Sequence, residues 1–241
     1  MSNFIVFEGG DGSGKTSLSN LLVELMKNDN KPVIKTCEPR DSIIGKMIRS
    51  YAKKGATGLP SKGNLGVTLL SEIQKLNRID DIPLMTLGHI ANADDIHCES
   101  DISDIDDEIM YNLLMADRYL HIEWIESQIK QGVTVVCDRY IYSTIVYQNS
   151  MFNQIMDDYT DILKPDVLIY CKNSDDNRIF QNRVEFDKFE KDVETIKSYN
   201  KLYDEVLQKV GHPNMITIET SDRIEDTHAV FKQKMQQIGL I

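Results

Sequence analysis

Residues 4–16, which read FIVFEGGDGSGKT, decide the fold of this chain. The first five are apolar up to a closing glutamate, as is typical of a buried strand. The next eight satisfy the pattern G-x-x-x-x-G-K-[ST], and a helical pattern of apolar residues begins directly after them. A strand, this loop and a helix in that order predict a phosphate-binding loop, in which backbone N–H groups turn inward around a phosphate.

The residue types in the loop predict its ligands. We expect Lys15 to reach the β and γ oxygens of a bound nucleoside triphosphate, and Thr16 to offer its hydroxyl to Mg²⁺. The dipole of the following helix favours the same anion. The candidate ATP-binding residues form one continuous run: Gly9, Gly10, Asp11, Gly12, Ser13, Gly14, Lys15, Thr16 and Ser17.

Four further segments, rich in β-branched and apolar residues, read as strands: residues 32–37, 133–138, 166–171 and 215–219. They are apolar nearly throughout and helical patterns separate them. The sequence therefore predicts an α/β fold of three layers, with a five-stranded parallel sheet between helices. We expect Ser221 to cap the last helix. The chain reads as a single domain over residues 1–241, in which the irregular interval 52–110 is an insertion between the second and third helical segments.

The charge of the chain limits its partners. The sequence has 27 Lys and Arg against 38 Asp and Glu, for a net charge of −11. Such a chain repels polyphosphate backbones, so we expect no nucleic-acid partner. Eight of the acidic residues lie within 94–108, so the rest of the chain is close enough to neutral to gather small phosphates. No apolar run approaches the ~20 residues that span a bilayer, and the first residues do not resemble a signal peptide. We therefore expect a cytoplasmic protein with no membrane partner.

A phosphate-binding loop alone is compatible with GTPases, motor ATPases and small-molecule kinases. A GTPase needs the guanine-reading motif N-K-x-D after a later strand. The nearest match, Asn-Arg-Ile-Asp at residues 77–80, lacks the lysine and lies in the irregular interval. The sequence therefore disfavours a GTPase.

Two arginines predict a second anion site. Arg40 follows the second strand and Arg139 follows the third. The carboxyl ends of parallel strands lie along one edge of a sheet, so we expect both guanidinium groups near the phosphate-binding loop, where they would bind a second phosphate. The alternative is that each arginine pairs with a structural carboxylate. Asp138 closes the third strand and is expected to order Mg²⁺, through water, or Arg139.

Four motifs together resemble thymidylate kinase: FEGGDGSGKT at 7–16, EP at 38–39, LMADR at 114–118 and DRYIYSTIVYQ at 138–148. Their order and placement match that family across nearly the whole chain outside the insertion. The resemblance implies a P-loop kinase that transfers the γ-phosphoryl group of ATP to dTMP, giving dTDP, with Mg²⁺. It also implies a homodimer.

The resemblance implies roles for individual residues. Asp11 would contact the sugar 3′-hydroxyl, Arg139 the acceptor phosphate and Arg118 the thymine edge. Tyr147 would crowd the ribose 2′ position and so favour deoxyribose. The full set implied for dTMP is Asp11, Glu38, Pro39, Arg40, Leu114, Arg118, Arg139, Ser143, Thr144, Tyr147 and Gln148.

Residues 173–191 are polar, contain several cations and are predicted to form a lid. Gly12 and Ser13 leave the phosphate-binding loop without an arginine, so charge on the transferred phosphoryl group must be met from elsewhere. Arg178 and Arg183 are the favoured lid residues, ahead of Lys188. The predicted catalytic set is Lys15, Asp138, Arg139, Arg178 and Arg183.

Three features depart from the family pattern. Cys37 occupies a position where many members have an arginine, Leu114 replaces a phenylalanine that usually stacks on thymine, and the insertion is additional. The loss of stacking leaves open a kinase of relaxed or altered deoxynucleoside monophosphate specificity, for example for 5-modified dUMP. The acidic insertion leaves open a nucleotide-binding protein without catalytic activity.

Overall fold

Strands and helices alternate along the chain in the computed structural model, which describes residues 2–52, 107–173, 193–221 and 223–241. A 3₁₀ turn at Asn149–Met151 joins two of the helices. None of the helices in these ranges is long and apolar enough to span a membrane. The elements are β1 (Phe4–Glu8), α1 (Lys15–Asn28), β2 (Val33–Cys37), α2 (Ile43–Ala52), α3 (Asp107–Lys130), β3 (Thr134–Asp138), α4 (Ile141–Tyr147), α5 (Phe152–Tyr159), β4 (Val167–Asn173), α6 (Val193–Val210), β5 (Met215–Thr220) and α7 (Ile224–Gln237).

The five described strands form a parallel sheet in the order β2-β3-β1-β4-β5. β1 lies at its centre, between β3 and β4. The register places Phe7 opposite Asp138. The loop after β1 and the segment after β3 therefore leave the sheet side by side, at the edge where ligands bind in folds of this type. The predicted five-stranded α/β fold is confirmed.

Both faces of the sheet are buried. Phe4 and Val6 of β1 pack in one cluster with residues of α3, α4 and α6. Ile5 and Phe7 point to the opposite face and pack in a second cluster with residues of α1 and α7. All four side chains are at most 1% exposed. Burial on both faces explains why the strands are apolar throughout instead of alternating.

The predicted strand bounds agree with the observed ones to within two residues. Helix α3 begins at Asp107, so the last four residues of the predicted insertion are helical, whereas residues 53–106 lie outside the described ranges. The predicted lid also lies outside them, apart from Asn173 at the end of β4. The predicted Ser221 cap is wrong: α7 has no side-chain cap bond, because the Ser221 hydroxyl donates instead to the Arg223 carbonyl oxygen at 2.8 Å.

Candidate active site

The phosphate-binding loop passes close to two neighbouring elements at its first two glycines. A Cβ on Gly9, whose φ is 140°, would lie 2.1 Å from the carbonyl oxygen of Cys171 on β4. A Cβ on Gly10 would lie 2.0 Å from Oδ1 of Asn200 on α6. At Gly9 both the backbone conformation and the contact with the backbone of β4 require glycine, whereas at Gly10 a side chain would have to displace the amide of Asn200.

Lys15 begins α1, and its side chain folds back over the loop. Its Nζ donates to the carbonyl oxygen of Gly10 at 2.6 Å and to Oγ of Ser13 at 3.4 Å. Burial, followed by repulsion from the Arg139 guanidinium, lowers the pKa of Lys15 from 10.5 to about 8. The ammonium group therefore lies where a bound phosphate would stabilise its charge.

Thr16 and Asp138, the predicted magnesium ligands, are in contact. The Thr16 hydroxyl donates to Oδ2 of Asp138 at 2.6 Å, and Nζ of Lys35 lies 3.9 Å from the same oxygen. No group of three His, Cys, Asp or Glu in the described ranges could hold a metal by itself. One hydroxyl and one carboxylate fit Mg²⁺, which keeps several waters and takes further ligands from substrate phosphates.

Arg139 lies directly after β3, at the edge of the phosphate-binding loop. Its φ is 69°, a left-handed conformation that is uncommon for a residue with a side chain. Nη1 donates to the hydroxyls of Ser143 and Tyr203, both at 3.2 Å, and Nη2 pairs with Asp11. Burial opposes the charge and is the largest single effect, but Asp11, Tyr147, Tyr203 and Glu8 together outweigh it, and the pKa of Arg139 is raised well above its ordinary value. The guanidinium is thus fixed and charged.

The two residues predicted to face the sugar lie against Arg139 and against each other. The Tyr147 hydroxyl donates to Oδ2 of Asp11 at 3.1 Å. The Tyr147 ring lies 5.6 Å from the guanidinium carbon of Arg139 and 4.8 Å from the ring of Tyr199. The structure therefore brings the predicted sugar contacts to the predicted acceptor arginine.

A cavity of about 410 Å³ opens between the phosphate-binding loop and Arg139. Its lining joins Lys15 and Thr16, on the predicted ATP side, to Asp11, Glu38 and Arg139 on the predicted dTMP side. One space thus adjoins both predicted nucleotide sites, as a direct transfer between two nucleotides requires.

Arg40 is not among the residues that line this cavity. Its Nε pairs with Oδ1 of Asp117 at 3.1 Å, and its backbone N–H donates to Oδ2 at 2.8 Å. This is the pairing with a structural carboxylate that the sequence left as the alternative. A phosphate-binding role for Arg40 stays a prediction, whereas Arg139 lies where it was expected.

The residues predicted to face the base are buried on α3 and α4. Nε and Nη2 of Arg118 donate to Oε2 of Glu38 at 3.0 and 2.7 Å, and Nη2 also donates to Oγ1 of Thr144 at 2.9 Å. Leu114 lies one turn before Arg118 on α3 and is half-buried. Gln148 follows α4 and is 3% exposed. The motifs that follow β2 and β3 therefore meet at Arg118.

Glu8 braces the acceptor side, a role that the sequence did not reveal. It is fully buried at the end of β1, where burial raises its pKa. Its carboxylate accepts the backbone N–H of Tyr140 at 2.7 Å, and the N–H and hydroxyl of Ser143 at 3.1 and 2.7 Å. Glu8 thereby satisfies N–H groups at the start of α4, the helix that follows Arg139. The only sign of this role in the sequence is that an acidic residue ends an otherwise apolar strand.

Replacing Glu8 with alanine is expected to lower the free energy of unfolding by about 3 kcal/mol, since buried donors of Tyr140 and Ser143 would lose their acceptor. Glu8→Gln keeps one acceptor oxygen and is expected to cost about 1 kcal/mol. Urea denaturation followed by circular dichroism measures both. Equal losses for the two variants would contradict the bracing role.

Helix α6, which follows the predicted lid, packs on the same site. The Tyr203 hydroxyl contacts Oγ of Ser143 at 2.9 Å as well as Arg139, and Asn200 lies against Gly10. In the sequence these residues indicate only a helix face. The lid cations themselves, Arg178, Arg183 and Lys188, lie outside the described residues, so their catalytic role stays a prediction.

Comparisons with known proteins agree with this geometry. A family model for thymidylate kinase matches residues 7–66 and 97–230. A thymidylate kinase of Plasmodium falciparum is 29% identical over 230 residues, which cover 93% of this chain and 85% of the relative. A probable thymidylate kinase of Methanococcus aeolicus is 27% identical over 261 residues, with both chains fully covered. The solved structure of thymidylate kinase from Candida albicans superposes with a TM-score of 0.68 at 16% identity, covering 99% of this chain and 93% of that one, and so supports the fold. Because the family model spans most of its length, the chain belongs to the thymidylate kinase family.

Proposed function

We propose that this chain transfers the γ-phosphoryl group of ATP to dTMP, and that the phosphate-binding loop and Arg139 hold the two reacting phosphates. Family membership makes the chain an ATP-dependent kinase of nucleotides. The observation that carries the residue assignment is the shared cavity between Lys15 and Arg139. Two cationic groups on one space suit a reaction that brings together two anions that repel each other.

The donor side would work through charge. The loop N–H groups and Lys15 hold the β and γ phosphates, and Lys15 meets the charge that grows on the transferred group. Thr16 and Asp138, the latter directly or through water, would hold a magnesium ion, which would supply positive charge to neutralise the phosphates. Asp138 is not required as a base, because phosphoryl transfer depends mainly on positioning and neutralisation.

On the acceptor side, binding of dTMP would change the partner of Arg139. In the structure Asp11 pairs with Arg139. When dTMP binds, its phosphate takes the Arg139 guanidinium, and Asp11 becomes available to accept the sugar 3′-hydroxyl. The charge on Arg139 thus remains compensated in both states. Tyr147 contacts Asp11 and in this proposal would crowd a ribose 2′-hydroxyl.

We also propose that the chain forms a homodimer, as its resemblance to the family implies. Sedimentation equilibrium of the full chain measures this. A species of twice the 27.6 kDa chain mass is expected, and a monomer at all concentrations would contradict it.

A panel of acceptors tests the function. ADP release would be measured with ATP and magnesium against dTMP, dUMP, 5-modified dUMP, dCMP, dGMP and dAMP. The highest kcat/KM is expected for dTMP. A preference for a 5-substituent larger than methyl would instead indicate a deoxynucleoside monophosphate kinase of altered specificity. Leu114, in place of the usual phenylalanine, is compatible with that result. An absence of turnover with every acceptor would favour a nucleotide-binding protein without catalysis.

The affinity of the free protein for a non-hydrolysable ATP analogue is expected to fall as pH rises through about 8. The buried Lys15 is charged below that pH and neutral above it, so each further unit weakens binding by about tenfold. Any further ionisation of the analogue's terminal phosphate in this range adds negative charge and would strengthen binding, so it cannot produce the expected fall. Isothermal titration at several pH values measures the effect. A constant affinity between about pH 7.5 and 9.5 would overturn the assignment, and Lys15→Arg, which stays charged, serves as the control.

A further inference from the structure

A chain of buried polar contacts runs behind the predicted base site, through Thr36, His121, Glu38, Arg118 and Thr144. Nε2 of His121 lies 2.8 Å from Oγ1 of Thr36, and its Nδ1 lies 3.0 Å from Oε1 of Glu38. The other carboxylate oxygen, Oε2, takes both Nε and Nη2 of Arg118. His121 is 0% exposed, and Glu38 and Arg118 are 7% and 1% exposed. This series of polar contacts connects β2 to α3 and α4.

The two oxygens of Glu38 are held by different residues of one helix face. Arg118 and His121 are three residues apart on α3, so both side chains reach the same carboxylate. Since Arg118 occupies Oε2, the bond from His121 is what fixes Oε1 among the described contacts. Without it the carboxylate could rotate, and the guanidinium bonded to Oε2 would move with it.

His121 is itself held on two sides. Its ring stacks on Trp124, with 5.8 Å between ring centroids and 22° between planes, and its second nitrogen contacts Thr36. Burial works against the charge on Glu38, but Arg118 and the His121 bond outweigh it, and the pKa of Glu38 is lowered. The ionised carboxylate can only accept, so Nδ1 of His121 carries a proton and donates it.

One edge of the buried Arg118 guanidinium makes only a weak hydrogen bond among the described residues. Nε and Nη2 of Arg118 are engaged by Glu38 and Thr144, whereas the contact of Nη1 within the described residues is Sδ of Met115 at 3.3 Å. A thioether is a weak acceptor. The direction in which Nη1 points is set by the angle of the Glu38 carboxylate, and hence by His121.

We propose that His121 is a positioning residue for acceptor recognition, which holds Glu38 so that Arg118 presents a fixed donor edge to the acceptor base. The inference rests on the proposed function, in which Arg118 faces thymine. Thymine offers the carbonyl O4 at the position where cytosine has an amino donor. A fixed guanidinium edge donates to the carbonyl oxygen and repels the amino group, so His121 contributes to selectivity although it touches no substrate.

Two variants separate the ring of His121 from its N–H. His121→Phe keeps an aromatic ring beside Trp124 and removes the bond to Glu38. It is expected to raise KM for dTMP about tenfold, with kcat and KM for ATP within about twofold of the wild type. His121→Asn loses the ring but keeps an amide N–H near Nδ1, and is expected to restore KM for dTMP to within about threefold of wild type. The ratio of kcat/KM for dTMP to that for dCMP is expected to follow the same order.

Thr36→Val supplies a milder variant in case His121→Phe does not fold. It removes only the hydroxyl that restrains Nε2, and we expect KM for dTMP to rise about threefold. His212→Phe is the matched control, because His212 contacts the carbonyl oxygen of Pro165 in the loop that leads into β4, at the opposite end of the sheet. It should leave both KM values and the dTMP to dCMP ratio unchanged.

The outcomes distinguish the inference from the function on which it rests. If the wild type does not phosphorylate dTMP, or if Arg118→Leu folds and leaves KM for dTMP unchanged, the assignment of Arg118 to the base fails. If Arg118→Leu raises KM for dTMP but His121→Phe and Thr36→Val do not, the positioning role of His121 alone is refuted. Parallel losses in kcat and both KM values, without rescue by His121→Asn, would refute it equally, because they indicate a structural role.

Discussion

Replacing Arg139 with alanine is expected to lower kcat/KM for dTMP by about 1,000-fold. The guanidinium is buried and fixed by Asp11, Ser143 and Tyr203 beside the phosphate-binding loop. Its removal takes away the main positive partner of the acceptor phosphate and leaves the Asp11 carboxylate beside that phosphate without the guanidinium that offsets its charge. Steady-state kinetics with dTMP as the varied substrate measure the loss.

The backbone of Arg139 offers an internal control. Its φ of 69° suits glycine, so Arg139→Gly relieves an unfavourable conformation by about 1 kcal/mol, whereas Arg139→Ala retains it. Both variants should lose activity to the same extent, although the glycine variant should be the more stable. Arg223→Ala, at an exposed arginine before α7, should keep full activity. Near-normal kcat/KM for dTMP in either Arg139 variant would refute the acceptor assignment.

Replacing Lys15 with methionine is expected to lower kcat by about 1,000-fold without loss of stability. Lys15 is 5% exposed, and its pKa of about 8 means that burial disfavours its charge in the folded protein. The lowering of the Lys15 pKa from 10.5 to about 8 corresponds to a loss of stability of about 3 kcal/mol. This loss is fully present below pH 8 and disappears as the pH rises past 10.5, the pKa in the unfolded chain. Methionine carries no such cost.

Thermal unfolding and kinetics together test the Lys15 prediction. The melting temperature of Lys15→Met should equal or exceed that of the wild type. This is the result expected when a residue that activity requires lowers the stability of the fold. Lys201→Ala, which removes an exposed lysine on α6, should change neither quantity. A marked fall in melting temperature, with activity lost in proportion, would mean that Lys15 supports the fold instead of the reaction.

The sheet could be predicted because its physical requirements are local. Burial on both faces demands runs such as those of β1 and β3, and these runs show directly in the sequence. Boundaries set by individual hydrogen bonds were less predictable. Ser221 is of a residue type that often caps helices, yet its hydroxyl donates to the carbonyl oxygen of Arg223. The residue type alone does not show which partner the hydroxyl takes.

The site could be predicted in part for a related reason. Lys15, Thr16 and Asp138 belong to contiguous motifs whose chemistry requires their spacing, and the structure brings Arg139 to the same cavity. Arg40 shows the limit of such reasoning, because a strand-end arginine can equally pair with a distant carboxylate such as Asp117. Glu8 and Tyr203 both contact Ser143, from 135 and 60 positions away in the sequence, and no sequence spacing reveals such contacts.

The stacking of Trp124 on His121 gives this protein a built-in optical reporter. Trp124 is the only tryptophan in the chain, so intrinsic fluorescence comes essentially from one half-buried indole. That indole lies against the imidazole whose other contacts reach Glu38. Filling of the acceptor pocket should therefore change the emission spectrum, whereas a nucleotide confined to the phosphate-binding loop should leave it nearly unchanged. Binding of the two substrates could then be followed separately, in unlabelled protein and on the timescale of mixing.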